Sequence, residues 1–270
     1  MKTKNLAIPY AIWLGILVFI PVMALLILTV TITNGLDFSN ATFTLENFFK
    51  LTDPVYSQAF LNSIIVAFWT TIICFIIGYP VAYIISNSKI KYKSAVLMLI
   101  ILPMWSNMLL RIVAWEKIFY PVSIINNIGL SLDLIGSIEA VIFVTVTMYL
   151  PFMIFPIFTI LEKSDKSLIE ASNDLGVGKI KTFLFVTFPL SLKGVCSGVI
   201  MVFLPAATGF AVSERIGAGK ITMIGNIIED MFTTAFNYNF GALLAIVVSV
   251  VITISVVLFQ KVDKDGETLL

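Results

Sequence analysis

The tract Gly217-Ala218-Gly219-Lys220-Ile221-Thr222 is this sequence's nearest approach to a phosphate-binding loop, and its spacing fails the requirement. Glu214 stands where the first glycine of such a loop belongs, and Ile221 replaces the Ser/Thr that would reach a magnesium ion. The chain has no histidine, and its two cysteines, Cys74 and Cys196, both lie within apolar runs. Neither a zinc site nor a disulfide framework can be assembled from that set, and both cysteines read as small buried apolar residues. With no acid pair inside an apolar run, an intramembrane enzyme also lacks its constellation. The chemistry that remains is recognition, and it concentrates in a polar segment from Glu162 to Lys193. Ser167, followed three residues later by Glu170, reads as a capping box. The helix it opens runs through Ile169, Ala171 and Leu175 to Gly176, a natural stop. A second short helix is expected to start near Lys179 and to end before Pro189. Two short helices joined at a glycine form an L-shaped docking knob. The alternative, an amphipathic hairpin lying on lipid headgroups, calls for a sharper basic-apolar division than Ser172-Asn173-Asp174 provides.

Everything around this segment is apolar. Of 270 residues 59% are hydrophobic and 12% charged, the composition of a protein embedded in a bilayer. The formal net charge of +1 excludes a basic nucleic-acid binder. Apolar runs predict an all-α membrane protein, one domain over 1–270, with spans at about 9–32, 60–86, 94–113, 138–161, 194–213 and 240–260. The segment 162–193 connects the fourth and fifth. The first run follows Met1-Lys2-Thr3-Lys4 without a small-x-small cleavage site and is expected to be an uncleaved span. Pro21, Pro80, Pro103, Pro151, Pro156 and Pro205 fall inside or at the ends of these runs, where membrane helices tolerate proline. They suit a kinked, moving pore and ordinary tolerated proline alike.

The 17 Lys and Arg divide unevenly. Twelve (Lys2, Lys4, Lys89, Lys91, Lys93, Lys163, Lys166, Lys179, Lys181, Lys193, Lys261, Lys264) fall on one side, against Lys50, Arg111, Lys117, Arg215 and Lys220 on the other. The positive-inside rule then puts both termini in the cytoplasm. Nine acids, among them Glu46, Asp53, Glu116, Asp133, Glu139 and Glu214, fall on the outer side, a bias that would favour capture of cations. The same split also follows from topology alone. The sequon Asn40-Ala41-Thr42 faces outward and carries no meaning in a bacterium.

Glu170-Ala171-Ser172, then Gly176, then Val186-Thr187-Phe188-Pro189, resembles the EAA loop of ABC importer permeases, E-A-A-x3-G-x9-I-x-L-P, with the spacing kept throughout. Ser172, Val186 and Phe188 depart from that pattern conservatively. Leu102-Pro103-Met104-Trp105-Ser106-Asn107 with Leu110-Arg111, Tyr149-Leu150-Pro151-Phe152-Met153 and Leu204-Pro205-Ala206 are similar to the spermidine/putrescine importer permeases of the PotB type. So are Phe43-Thr44-Leu45-Glu46-Asn47-Phe48, Leu51-Thr52-Asp53-Pro54, Gly225-Asn226 and Phe240-Gly241-Ala242, so the likeness runs over nearly the whole chain. The resemblance implies a type I ABC importer permease with the MetI-like fold in the bacterial inner membrane. Its implied partners are a second homologous (PotC-like) permease, two cytoplasmic ATP-binding (PotA-like) subunits and an outer (PotD-like) polyamine-binding protein. It implies no cofactor and no catalysis by this chain, with Glu170, Ala171, Ser172, Gly176 and Pro189 as the ATPase-coupling residues.

A polyamine path needs carboxylates and aromatic faces, since charge in a low dielectric is costly unless paired. Trp105, Trp115, Tyr149, Glu116 and Glu214 are the candidates, and Trp105, Tyr149 and Glu214 are expected to face a shared cavity. Trp105 equally suits packing in the bundle, and Trp115 better suits anchoring at the interface. Glu214 beside Arg215 also reads as a solvated outer pair, and Glu116 beside Lys117 as a mark of the membrane edge. Arg111 is expected to snorkel, to pair with an acid, or to repel cations from a wrong exit. Permeases for sulfate, molybdate, phosphate or ferric iron share the docking loop, but an anion path wants basic groups, and the spans offer only Arg111. A gradient-driven secondary transporter wants ionisable residues at mid-span and inverted repeats, and neither is evident.

Overall fold

The computed structural model describes residues 4–35, 37–120 and 134–267. Lys2 and Asp133 of the charge pattern lie outside the described residues, as do the side chains of Lys4, Asn40, Lys261 and Lys264. Helix α1 (Lys4–Thr29) leaves most of its large apolar side chains exposed, Trp13, Phe19 and Ile20 among them, and packs on the last helix, α12 (Tyr238–Glu267). It stops three residues short of the expected span. The β-branched run Thr29-Val30-Thr31-Ile32-Thr33 favours extended backbone, and the chain enters a hairpin of β1 (Thr31–Asn34) and β2 (Asp37–Phe43). Asn239 pins this hairpin to α12. Its side-chain amide donates to the carbonyls of Leu28 (3.0 Å) and Thr31 (2.7 Å), and its oxygen accepts from the Thr33 hydroxyl.

After α2 (Glu46–Lys50), α3 (Pro54–Asn87) opens with Asp53 accepting from the Val55 amide at 2.9 Å and Pro54 in the first turn, where its missing N–H costs nothing. Helix α3, α6 (Ile138–Lys163) and α9 (Phe188–Thr208) form the central three-helix layer, with Cys74, Val146, Met153, Ile157 and Val202 buried between them. Close approach of α6 and α9 requires glycine. A Cβ on Gly194 would lie 2.9 Å from the Pro156 carbonyl, and one on Gly198 would lie 2.7 Å from Met153 Sδ. Small residues at crossings are how helices pack where lipid supplies no hydrophobic drive.

The third apolar run is not one helix, contrary to the expected span at 94–113. It divides into α4 (Lys93–Ile101), a 3₁₀ turn at Leu102–Trp105 and α5 (Met108–Phe119), bent by 83°. Pro103 occupies the first turn of the 3₁₀ segment. Ser106 and Asn107 are extended, and Asn107 caps a new helix by accepting from the Leu109 amide at 2.8 Å. Five described helices are long and apolar enough to cross a membrane, and the bent pair makes a sixth if it is taken as one span. Beyond α9 come two short helices, α10 (Ala211–Ile216) and α11 (Ile224–Thr233), so the fifth helix ends at Thr208 and not at 213.

The loop segment is built from α7 (Lys166–Asp174) and α8 (Lys179–Thr182). The expected stop before Pro189 is absent, because α8 runs through a π-turn at Phe183–Thr187 into α9, making one helix over Lys179–Thr208. In the π-turn the Phe188 amide reaches back to the Phe183 carbonyl. The wider turn lets Pro189, which has no N–H to offer, continue the helix.

Candidate coupling loop and translocation cavity

Helix α7 starts two residues earlier than a Ser167 cap would place it. Asp165 is the cap, accepting from the Ser167 amide at 2.9 Å. That backbone hydrogen bond, aided by the Ser167 hydroxyl, holds the exposed Asp165 carboxyl below the usual carboxylate range. The helix ends at Gly176, whose φ of +74° suits glycine. The Gly176 amide bonds the Asn173 carbonyl and the Val177 amide the Ser172 carbonyl, a Schellman closure.

Glu170 and Ala171 are exposed on α7, while Ser172 turns inward and is buried. Its hydroxyl lies 2.9 Å from that of Thr182, also buried, so the two arms of the L are tied together at the position where the loop pattern has alanine. Leu175 and Ile180 flank the corner and are 83% and 76% exposed. Sequence reasoning did not single them out for docking. The signal is only that two large apolar side chains border a polar corner, which makes the corner a candidate docking surface.

The second arm is bound to the bundle by aromatics. The Tyr79 and Tyr83 rings pack edge-on against Phe183 at 5.7 and 5.3 Å, and the Tyr79 hydroxyl lies 2.8 Å from that of buried Ser191. At the same end Lys93 bridges Glu162 at 3.0 Å and also donates to the Ser86 carbonyl, joining the ends of α3, α4 and α6. Pro189 sits in the first turn of α9, just past the π-turn.

The far end of α9 borders a cavity of about 290 Å³, lined by Met108, Thr145, Tyr149, Pro205, Thr208 and Met223 among others. Of the candidate path residues only Tyr149 lies here. Trp105 is 85% exposed at the bend, and Glu214 is exposed on α10. Neither lines this cavity, so among the described residues this cavity does not bring Trp105 and Glu214 together with Tyr149. The bend carries Trp105 away, and α9 ends before Glu214. Trp115 stacks on Phe119 at 5.6 Å and meets Phe143 edge-on at 5.0 Å. Glu116, largely buried, approaches Arg215 at 3.9 Å, so the partner of Arg215 is Glu116 and not its neighbour Glu214.

Arg111 meets no acid among the described residues. Its guanidinium donates to the carbonyls of Thr147 (2.9 Å) and Pro103 (3.3 Å), across the bend. Asn226, of the Gly225-Asn226 motif, accepts from the Ser213 hydroxyl and the Met223 amide and donates to the Phe210 carbonyl, which fixes the turn after α9. The Gly-Lys tract at 217–222 follows a helix and not a strand. The Lys220 side chain lies over Gly136, where a Cβ would come within 2.7 Å of it.

A family model described as the binding-protein-dependent transport system inner membrane component matches residues 75–264. The chain belongs to this family. Family membership makes it an ABC-type permease, a transport subunit of a bacterial membrane. It is similar to the spermidine/putrescine transport system permease protein PotB of Haemophilus influenzae, 33% identical over 93% of this chain and 91% of that one. To the protein of the same description in Escherichia coli it is 32% identical, over 93% and 94%. The fold is that of a permease in a bacterial ABC transporter involved in the import of the acidic polysaccharide alginate, with TM-score 0.79 and 14% identity over 97% of this chain and 94% of that chain.

Proposed function

We propose that this permease forms half of the translocation path of an ATP-driven polyamine importer and passes motion from two cytoplasmic ATPases to the membrane through its α7–α8 loop. The observation that carries the substrate is the extent of the likeness: more than nine-tenths of this chain aligns with spermidine/putrescine permeases from two species. A PotC-like permease, PotA-like ATPases and a PotD-like outer binding protein complete the assembly. The loop end faces the cytoplasm with both chain termini, in keeping with the excess of lysine there.

The geometry suits such coupling. Glu170 is presented for docking, Ser172 fixes α7 to Thr182, and Thr182 belongs to a helix of about 45 Å, at 1.5 Å per residue, that ends beside Tyr149. A push at one end therefore arrives at the other as a rigid displacement, the requirement for alternating access. ATP hydrolysis resides in the partner subunits. Trp105, exposed at the bend, and Glu214 face the second permease and share the path with Tyr149, whereas Trp115 and Glu116 support the outer wall.

The test is uptake of labelled spermidine and putrescine, with sulfate as control, in cells lacking this chain and in cells complemented with wild type or Glu170→Arg. Polyamine uptake is expected to vanish, to return with wild type, and to fail with Glu170→Arg at normal membrane abundance. Unchanged polyamine uptake in the deletion strain, with no redundant carrier, would remove the substrate assignment.

A further inference from the structure

We propose that the 290 Å³ cavity beside Tyr149 is a subsite for one protonated amine end of the substrate, with Thr145 and Thr208 as specificity residues. This rests on the polyamine reading and deepens it. The argument comes from where the protons already point. The Thr145 hydroxyl donates to the Val141 carbonyl at 2.6 Å and the Thr208 hydroxyl to the Leu204 carbonyl at 3.0 Å. Both oxygens are thus left to the cavity as acceptors.

The shorter helices α5, α10 and α11 begin beside the cavity and the long helix ends at it, so the side chains decide which charge it takes. Helix α9 ends at this wall, and its last turn, Pro205 to Thr208, brings the negative end of the helix dipole. The thioethers of Met108 and Met223 are weak acceptors. The Tyr149 hydroxyl has no hydrogen-bond partner among the described residues and lies 3.8 Å from where a Cβ on Gly209 would stand. No Lys or Arg lines the cavity. An ammonium group, all donor and no acceptor, fits such a wall. An anion would find no charged side chain to neutralise it, with the Tyr149 O–H as the one side-chain donor free among the described lining residues. Met108, Val212 and Met223 supply apolar surface for the methylenes that follow the charge.

The experiment uses the complete importer in proteoliposomes, with both permeases, the ATPases and the binding protein. Spermidine uptake is compared with uptake of spermidine acetylated at one terminal amine. The binding protein is the same throughout, so its own preference cancels when variants are compared with wild type. Thr145→Val with Thr208→Val keeps the side-chain shape and removes both acceptors. Uptake KM for spermidine is expected to rise about tenfold, as for loss of a hydrogen bond to a charged group, and preference over the acetylated compound to narrow. Serine at both positions is expected to restore both values. Tyr149→Phe, which keeps the ring, is expected to give a smaller shift in the same direction and provides a reading if the valine pair does not assemble. Unchanged KM and preference in these variants would overturn the subsite, as would serine variants impaired like the valine ones. Wild-type vesicles that take up no spermidine would remove the polyamine reading itself, an outcome distinct from the failure of the subsite.

Discussion

Arg111 donates through Nη2 to the main-chain carbonyl of Thr147 at 2.9 Å, and that carbonyl is the one left without a helical partner by Pro151, four residues on. A proline vacancy in α6 is thus filled by a guanidinium from α5. The same group reaches the Pro103 carbonyl on the other side of the 83° bend. Arg111→Met is expected to cost on the order of 1.5–3 kcal/mol, read as a lower melting temperature of the purified importer. Pro151→Ala returns an N–H to Thr147, so in that background the cost of Arg111→Met should shrink. Equal losses in both backgrounds would show that the carbonyl is not what Arg111 serves.

Gly194 lies at a close backbone approach of α6 and α9. A Cβ there would lie 2.9 Å from the Pro156 carbonyl and 3.0 Å from the Ile157 Cα, backbone atoms that move only if the helices separate. Gly194→Val is expected to destabilise the bundle by roughly 1–3 kcal/mol and to lower the yield of intact importer in detergent. Gly178→Val, at the start of α8 with nothing within 4 Å of the added carbon, serves as the control and should assemble normally.

The Asp165 cap gives α7 a pH dependence with a definite sign. The Ser167 amide bonds the ionised carboxylate, so the folded pKa lies below the unfolded one. The cap's contribution is complete above the unfolded value and is lost as pH falls through the folded one. Hydrogen-exchange protection factors of α7 amides, corrected for intrinsic rates, are expected to fall with acidification in wild type and to stay level in Asp165→Asn, which caps without ionising. A level profile in wild type would assign the capping to another group.

The parts of this molecule legible in its sequence are those set by one residue's own chemistry. Gly176 stops α7 because it adopts a φ of +74° freely, and a stop is readable without knowing its surroundings. The start of α7 reads in sequence at Ser167, whereas Asp165, two residues earlier, is the cap and takes the Ser167 amide itself. Pro103 reads as a proline in or at the end of an apolar run, and Pro189 as the stop of a short helix. One helps end a helix because Asn107 restarts the chain in a new direction, and the other rides inside a helix because five residues before it widen into a π-turn. The path residues were legible as types, acids and aromatics, but not as a set, since their grouping depends on a bend that hydropathy averages away. Thr145 and Thr208 were invisible for the opposite reason: threonine in a membrane helix ordinarily bonds its own backbone, and only the cavity beside them gives their second face a use.

The π-turn at Phe183–Thr187 also sets an azimuth. It adds one residue to the helical ladder without ending it, so everything before Phe183 is rotated by about 100° around the axis relative to an unbroken α-helix. The compass bearing of Glu170 and Leu175 is therefore written in a residue count within the helix: a turn tightened to the ordinary ladder with no residue lost would swing the loop by that angle, whereas a turn tightened by losing one residue would leave the loop where it is.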